Sequence, residues 1–254
     1  MLKFKYLDFI LYKTYADLKA ETATTHVGFL WWIIDPMIMM GVFYLVFGVF
    51  LHKGTVDYVP FLMIGVAVWQ WFSTTVPDGA RTISKASALM GVVYVPKAIF
   101  PAIAVLMGVF KFAVVLAVLI VFLLLYGIEW TLCGLALPLI VLVQLLFTVG
   151  VTFLCAAVVP FFPDLNRFVN YGLRLLFFLS GVFFDPAQLP PEVRSFFFLN
   201  PMAGLIDGYR NVLLRGLWPD WEGLGIISLF SAALVTVAFL ILIRYDRVYP
   251  KVVM

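Results

Sequence analysis

A chain of 254 residues that is 64% hydrophobic and 12% charged is not a water-soluble domain, which carries about 25% charged residues. Its mean hydropathy is +1.08. The formal net charge of +3 says little by itself, and no nucleic-acid partner is expected. Composition therefore predicts an all-α protein embedded in a membrane.

The first 25 residues are charged throughout and lack a continuous apolar run, so no cleavable leader is expected. Phe4, Leu7, Leu11, Tyr15 and Leu18 recur at helical spacing, with Lys5, Asp8, Lys13, Asp17 and Lys19 on the remaining surface. That pattern predicts a helix over 1–26 lying in the membrane interface, as a surface anchor or also as a platform for a cytoplasmic partner.

About 20 apolar residues cross the hydrocarbon core. Six stretches qualify: Val27–Phe50, Tyr58–Val76, Ile99–Tyr126, Leu132–Pro160, Asn166–Phe184 and Gly223–Arg244. Arg167, Asn170 and Arg174 interrupt the fifth, whose apolar part is short. Cys133 and Cys155 share one stretch about 33 Å apart, beyond disulfide reach, and read as small hydrophobic residues.

An even number of spans puts both termini on one side, and Lys and Arg choose which. The N-terminus, the second loop, the fourth loop with its helix entry, and the C-tail together hold twelve of them. The opposite side holds Lys53, Arg194, Arg210 and Arg215, and Lys111 is left inside a span. Both termini are therefore expected in the cytoplasm.

Two interruptions stand out. The segment 77–98 carries Asp78, Arg81, Ser84, Lys85 and Ser87, yet also Ile83, Leu89, Met90, Val92, Val93 and Tyr94. A short helix of this mixture docks on another protein or folds back on the bilayer. The segment 185–222 is divided by Pro186, Pro190, Pro191 and Pro201 into short amphipathic pieces. Irregular backbone at membrane depth needs protein or a wet cavity around it; two re-entrant helices satisfy that, as does a loop lying on the outer leaflet.

The motifs resemble those of ABC-type polysaccharide export permeases. Gly28, Leu30, Trp31 and Pro36 match the Gly-x-Leu-Trp…Pro core of the first span, and Gly65 and Trp69 match the second. VYVPKAIFP carries Pro96 and Pro101, with Val95 where Phe is usual. Ser180, Leu189, Pro190, Asn200, Pro201 and Arg210 follow the later series. Gly181 departs from the usual Pro, and Phe162-Pro163-Asp164 from an aromatic-Arg-Asp triplet.

That resemblance implies a single transmembrane domain over 1–254, paired with a second copy of itself. It also implies a separate ATP-binding subunit that docks on the cytoplasmic loops and holds the ATP and magnesium. The chain has no Gly-Lys pair and hence no P-loop of its own, so no cofactor is expected in it. Arg81, Ser84, Lys85, Leu89, Met90 and Tyr94 become the candidate coupling residues. Pro190, Asn200, Pro201 and Arg210 become the candidate periplasmic gate. The cargo implied is a lipid-linked polysaccharide, O-antigen or capsule, moved across the bacterial inner membrane among its lipids; teichoic acid or a smaller substrate is the alternative.

Flat rings offer sliding surfaces to sugar faces, and a conduit needs weak, repeated contacts. Trp31, Tyr44, Trp69, Phe72, Tyr171 and Phe178 are the candidates to line it, although aromatic belts and lipid-facing Phe account for many of the 44 rings. Charges at membrane depth are costly and often functional. Asp35 and Arg174 could pair, Arg174 could meet an anionic group of the cargo, or Asp35 could snorkel to the interface. No metal-ligand spacing and no catalytic constellation is present. An ion-coupled secondary transporter would need a buried acidic relay, and the spans offer only Asp35.

Overall fold

The computed structural model describes residues 2–23, 28–50, 57–90 and 94–253, and every regular element among them is helical. Helix α1 is Leu2–Ala23. A 3-10 turn, Gly28–Leu30, leads into α2, Trp31–Phe43, which continues in π-type coil over Tyr44–Phe50. Next come α3, Tyr58–Ala80, the short α4, Thr82–Lys85, and α5, Ser87–Met90, then α6, Ile99–Tyr126. Helices α7, Leu137–Val158, and α8, Leu165–Phe178, precede α9, Pro191–Phe197, and α10, Pro201–Arg210. Helix α11, Trp221–Arg244, and the short α12, Tyr249–Val253, complete the chain.

Five segments are long and apolar enough to cross a membrane: Gly28–Val46, Tyr58–Ala80, Ile99–Tyr126, Leu132–Val158 and Trp221–Arg244. The expected Asn166–Phe184 span takes the form of α8, whose 14 residues reach only about 21 Å against a hydrocarbon core of about 30 Å. Helix α8 stops because the chain turns at Gly181, where φ is 66°. Only glycine takes that left-handed conformation without a steric cost, so the glycine that replaces the usual proline still breaks the helix.

Helix α3 is the hub. Of its most apolar window 72% is buried, against 22% for α6 and α11, so the latter two present most of their surface outward. It packs against α2, α6, α7, α8 and α10. Trp71 stacks on Phe112 with ring centroids 4.1 Å apart, and Phe72 on Phe147 at 5.2 Å. Gln144 Nε2 donates to the Val68 carbonyl at 2.9 Å, joining α7 to α3.

A second apolar cluster closes one end of the bundle, where Ile83, Met90, Val95, Phe100, Ala156, Leu242 and Tyr249 meet. Helix α1 rests on it through Tyr6, Phe9 and Ile10. The predicted stripe faces the other way: Leu7, Leu11 and Tyr15 are exposed, and the Phe4 side chain lies outside the described residues. Helix α1 is thus apolar on two faces, one against the bundle and one left for the surroundings. At the far end of α3, Tyr58, Phe61 and Leu62 pack with Phe183 and Leu214.

Candidate functional site

Helices α2, α3 and α8 line a cleft of about 670 Å³ on the flank of the bundle. Gln70, Ser73 and Thr74 enter it from α3 at helical i, i+3, i+4 spacing, Asp35 from α2, and Asn170 and Arg174 from α8. Trp69, Phe177 and Phe178 supply the ring surface. The rings continue beyond the cleft. Trp69 lies 5.7 Å from Phe177, Phe177 6.0 Å from Phe183, Phe183 5.5 Å from Phe184, and Phe184 5.5 Å from Phe197 on α9.

Of the aromatic residues singled out in the sequence, Trp69 and Phe178 line this cleft. Tyr171 is exposed on the same face of α8, its ring 5.8 Å from the Arg174 guanidinium. Trp31 is exposed one helical turn before Asp35, and Tyr44 is exposed where α2 widens. Phe72 does not belong to the set: it is 2% exposed and stacked on Phe147, because its position on α3 turns it toward α7. Asp35 and Arg174 share the cleft, and among the described residues no ion pair joins them.

Lys111, left unassigned inside a span, reaches out of α6 to Glu21 of α1 at 2.6 Å. Trp32 Nε1 also donates to Glu21, at 3.4 Å. This trio borders a second cavity of about 240 Å³ that shares Asp35, Gln70 and Thr74 with the cleft. The C-terminal end of α1 is thereby tied to the wall of the cleft.

Toward α9 and α10 the sequence motifs converge on one set of backbone carbonyls. Arg210 is fully buried: Nη1 donates to the Gly181 carbonyl at 2.7 Å and Nη2 to Val182 at 2.6 Å. Nε and Nη2 reach the Phe61 carbonyl at 3.3 and 3.2 Å, and the guanidinium lies 3.3 Å from the Phe61 ring centre. Asn200 caps α10 by accepting from Met202 N and donates to Ser180 Oγ at 2.8 Å and the Leu179 carbonyl at 3.1 Å. Pro201 follows as the first helical residue, where a missing N–H costs nothing; the exposed Pro190 precedes α9.

A second lock was not singled out in the sequence. Arg215 bonds Asp207 at 2.8 Å, Asn211 at 2.8 Å and Asp185 at 3.0 Å, which joins the end of α10 to the loop before α9. Burial works against the Arg215 charge, yet the two carboxylates outweigh it and hold its pKa above the usual range. Asp207, Asn211 and Arg215 stand at i, i+4, i+8, a spacing that would have revealed half of this network.

The opposite end carries the coupling candidates. Arg81 Nε donates to Asn166 Oδ1 at 3.2 Å, linking the end of α3 to the start of α8. Lys85 is exposed and Ser84 half-buried. Met90 is 8% exposed and packed into the end cluster, so it faces the core rather than a partner. The Leu89 side chain lies outside the described residues. Tyr94 is exposed, and its hydroxyl donates to Asp246 at 2.6 Å, which pushes the phenol pKa up.

Rings interspersed with single hydroxyl and amide groups suit a ligand with flat apolar faces and hydroxyl-rich edges. Among the described residues no group of His, Cys, Asp and Glu side chains is arranged to hold a metal.

Known proteins give this geometry a context. Residues 21–214 match the family model described as ABC-2 type transporter. The chain is 31% identical over 238 residues to an O-antigen export system permease protein RfbA of Myxococcus xanthus, covering 92% of this chain and 91% of that one. It is 26% identical over 242 residues to a protein of the same name from Klebsiella pneumoniae, covering 93% of each. With the family match over most of its length and five segments able to cross a membrane, the chain belongs to the ABC-2 type transporter family as a multi-pass membrane protein.

Proposed function

We propose that this chain is the transmembrane subunit of an ATP-driven exporter in the bacterial inner membrane, and that its cargo is a lipid-linked polysaccharide such as O-antigen. The observation that carries the reading is the ring ladder from Trp69 through Phe177 and Phe183 to Phe197, beside a stripe of Gln70, Ser73 and Thr74. Sugar rings stack weakly on such surfaces and exchange single hydrogen bonds with such groups, so the polymer slides instead of lodging. The names of the similar permeases support the cargo class.

In this reading the chain crosses the membrane six times, the short α8 completing its crossing with the segment that follows, and both termini lie in the cytoplasm. A second copy closes the cleft of α2, α3 and α8 into a conduit. A separate ATP-binding subunit carries ATP and magnesium and docks on 77–98, chiefly at Lys85 and Ser84, with Arg81 passing the movement to α8 through Asn166. The segment 185–222, held shut through Arg210 and Arg215, opens on the periplasmic side when the polymer passes. Complementation of a strain lacking this chain tests the reading. The wild-type chain restores surface polysaccharide, Phe178→Ala restores far less at equal membrane abundance, and full restoration by Phe178→Ala would refute the conduit.

A further inference from the structure

Where α11 ends, a groove of about 410 Å³ opens between the turn after the helix and the segment before α6. Tyr94 and Lys97 form one wall, and Phe239, Ile243, Arg244 and Arg247 form the other. Asp246 sits between them and is already engaged: Oδ2 accepts from the Tyr94 hydroxyl at 2.6 Å and Oδ1 from the Lys97 backbone N–H at 3.0 Å.

Lys97 is the anomaly. Its side chain is 2% exposed, yet Nζ stands 4.0 Å from Asp246 Oδ2, beyond hydrogen-bond length, and 4.7 Å from the centre of the Tyr94 ring. Among the described residues no acceptor completes it. Lys97 has only this long ion pair, and Arg244 and Arg247 have no ion-pair partner among the described residues. Three cations thus face one committed carboxylate. An ammonium held this loosely beside two guanidinium groups favours an oxyanion with several free oxygens, which offers charge-assisted hydrogen bonds to all three.

The rest of the groove says what carries the oxyanion. Phe239 is 47% exposed and Ile243 59% exposed, on the outward face of a membrane-spanning helix and within two turns of the guanidinium groups. Phe239 stands about 7.5 Å along α11 from its last residue, Arg244, so with α11 spanning the membrane an acyl chain reaches it where a soluble partner does not. We infer that this groove binds the phosphate headgroup of an anionic phospholipid, with Lys97, Arg244 and Arg247 on the phosphate and the acyl chain along Phe239 and Ile243. Basic pockets at the ends of spans hold anionic lipids in this manner. The inference rests on α11 spanning the membrane and is independent of cargo and of orientation.

The test uses the full-length chain purified in detergent. Retention of phosphatidylglycerol and phosphatidylcholine is measured by native mass spectrometry, alongside elution volume as a check on folding. Phosphatidylglycerol should be held selectively. Each guanidinium contributes about fivefold, so Arg244→Gln with Arg247→Gln should weaken retention about 25-fold at unchanged elution volume. Lys97→Gln should weaken it further, and Lys251→Gln, outside the groove, should leave it unchanged. Equal retention of the two lipids, or a double variant within twofold of wild type, would overturn the inference. So would displacement of phosphatidylglycerol by inorganic phosphate or by equimolar polyprenyl phosphate, which would assign the groove to a free anion or to a lipid carrier. Loss of an ATP-binding subunit from the double variant with lipid retention intact would make the groove a protein interface and also overturn it.

Discussion

Arg210 and Gly65 share one space: a methyl group at position 65 would lie 2.6 Å from Arg210 Nη2 and 2.9 Å from the Val182 carbonyl oxygen. The glycine of the second span is what lets a buried guanidinium reach the carbonyls at the turn after α8. Gly65→Ala should therefore destabilise the protein by about 1–3 kcal/mol, the usual cost of overpacking. Gly41→Ala, with no neighbour within 4 Å, should be neutral. Thermal unfolding in detergent distinguishes the two, and equal melting temperatures would contradict the assignment.

Arg210→Gln leaves the Phe61, Gly181 and Val182 carbonyls short of donors, each at about 1–3 kcal/mol. Membrane abundance should fall steeply. Arg210→Lys should recover only part of the loss, since an ammonium lacks the planar fork that reaches three carbonyls at once. Full recovery by lysine would mean that charge, and not geometry, holds the turn.

The Arg215 network is partly exposed, its side chains at 20–28%, so solvent screens it and Arg215→Ala should change global stability by only about 0–1 kcal/mol. Its local effect should be larger. Amide hydrogen exchange across 185–215 should accelerate while α7 and α11 keep their protection. Unaltered exchange in that segment would show that Arg215 does not restrain it.

Phe178 and Phe72 separate the cleft from the core. Phe178 is 56% exposed in the cleft, and Phe178→Ala should lower polymer export severalfold without lowering the amount of protein. Phe72→Ala removes a buried ring at a cost of about 3–5 kcal/mol and should lower abundance first. Export and immunoblot measured on the same membranes decide between them.

The legibility of this chain follows length scales. Spans such as Ile99–Tyr126 are legible because twenty apolar residues in a row have one physical solution. The face a residue turns is legible only where a polar stripe marks it. Gln70, Ser73 and Thr74 mark the cleft side of α3, whereas Phe72, between them in sequence, turns to Phe147 for packing reasons visible only in three dimensions. Met90 was hidden likewise, because a short amphipathic helix can turn its apolar side to its own bundle as readily as to a partner. Contacts between distant segments, such as Lys111 with Glu21 or Tyr94 with Asp246, leave no local pattern at all. Arg210 was legible as a motif residue, but its partners are backbone carbonyls, which every sequence possesses.

In the proposed function this chain passes a lipid-linked polysaccharide across the membrane at the expense of ATP hydrolysed by another subunit. The direct measurement is the ATP-dependent appearance of that polymer inside proteoliposomes carrying this chain and its ATP-binding subunit in inverted orientation. Transport should require both chains and ATP, and Lys85→Glu should abolish it while leaving the fold intact. Transport by this chain alone under an ion gradient, or undiminished transport by Lys85→Glu, would refute the proposed function.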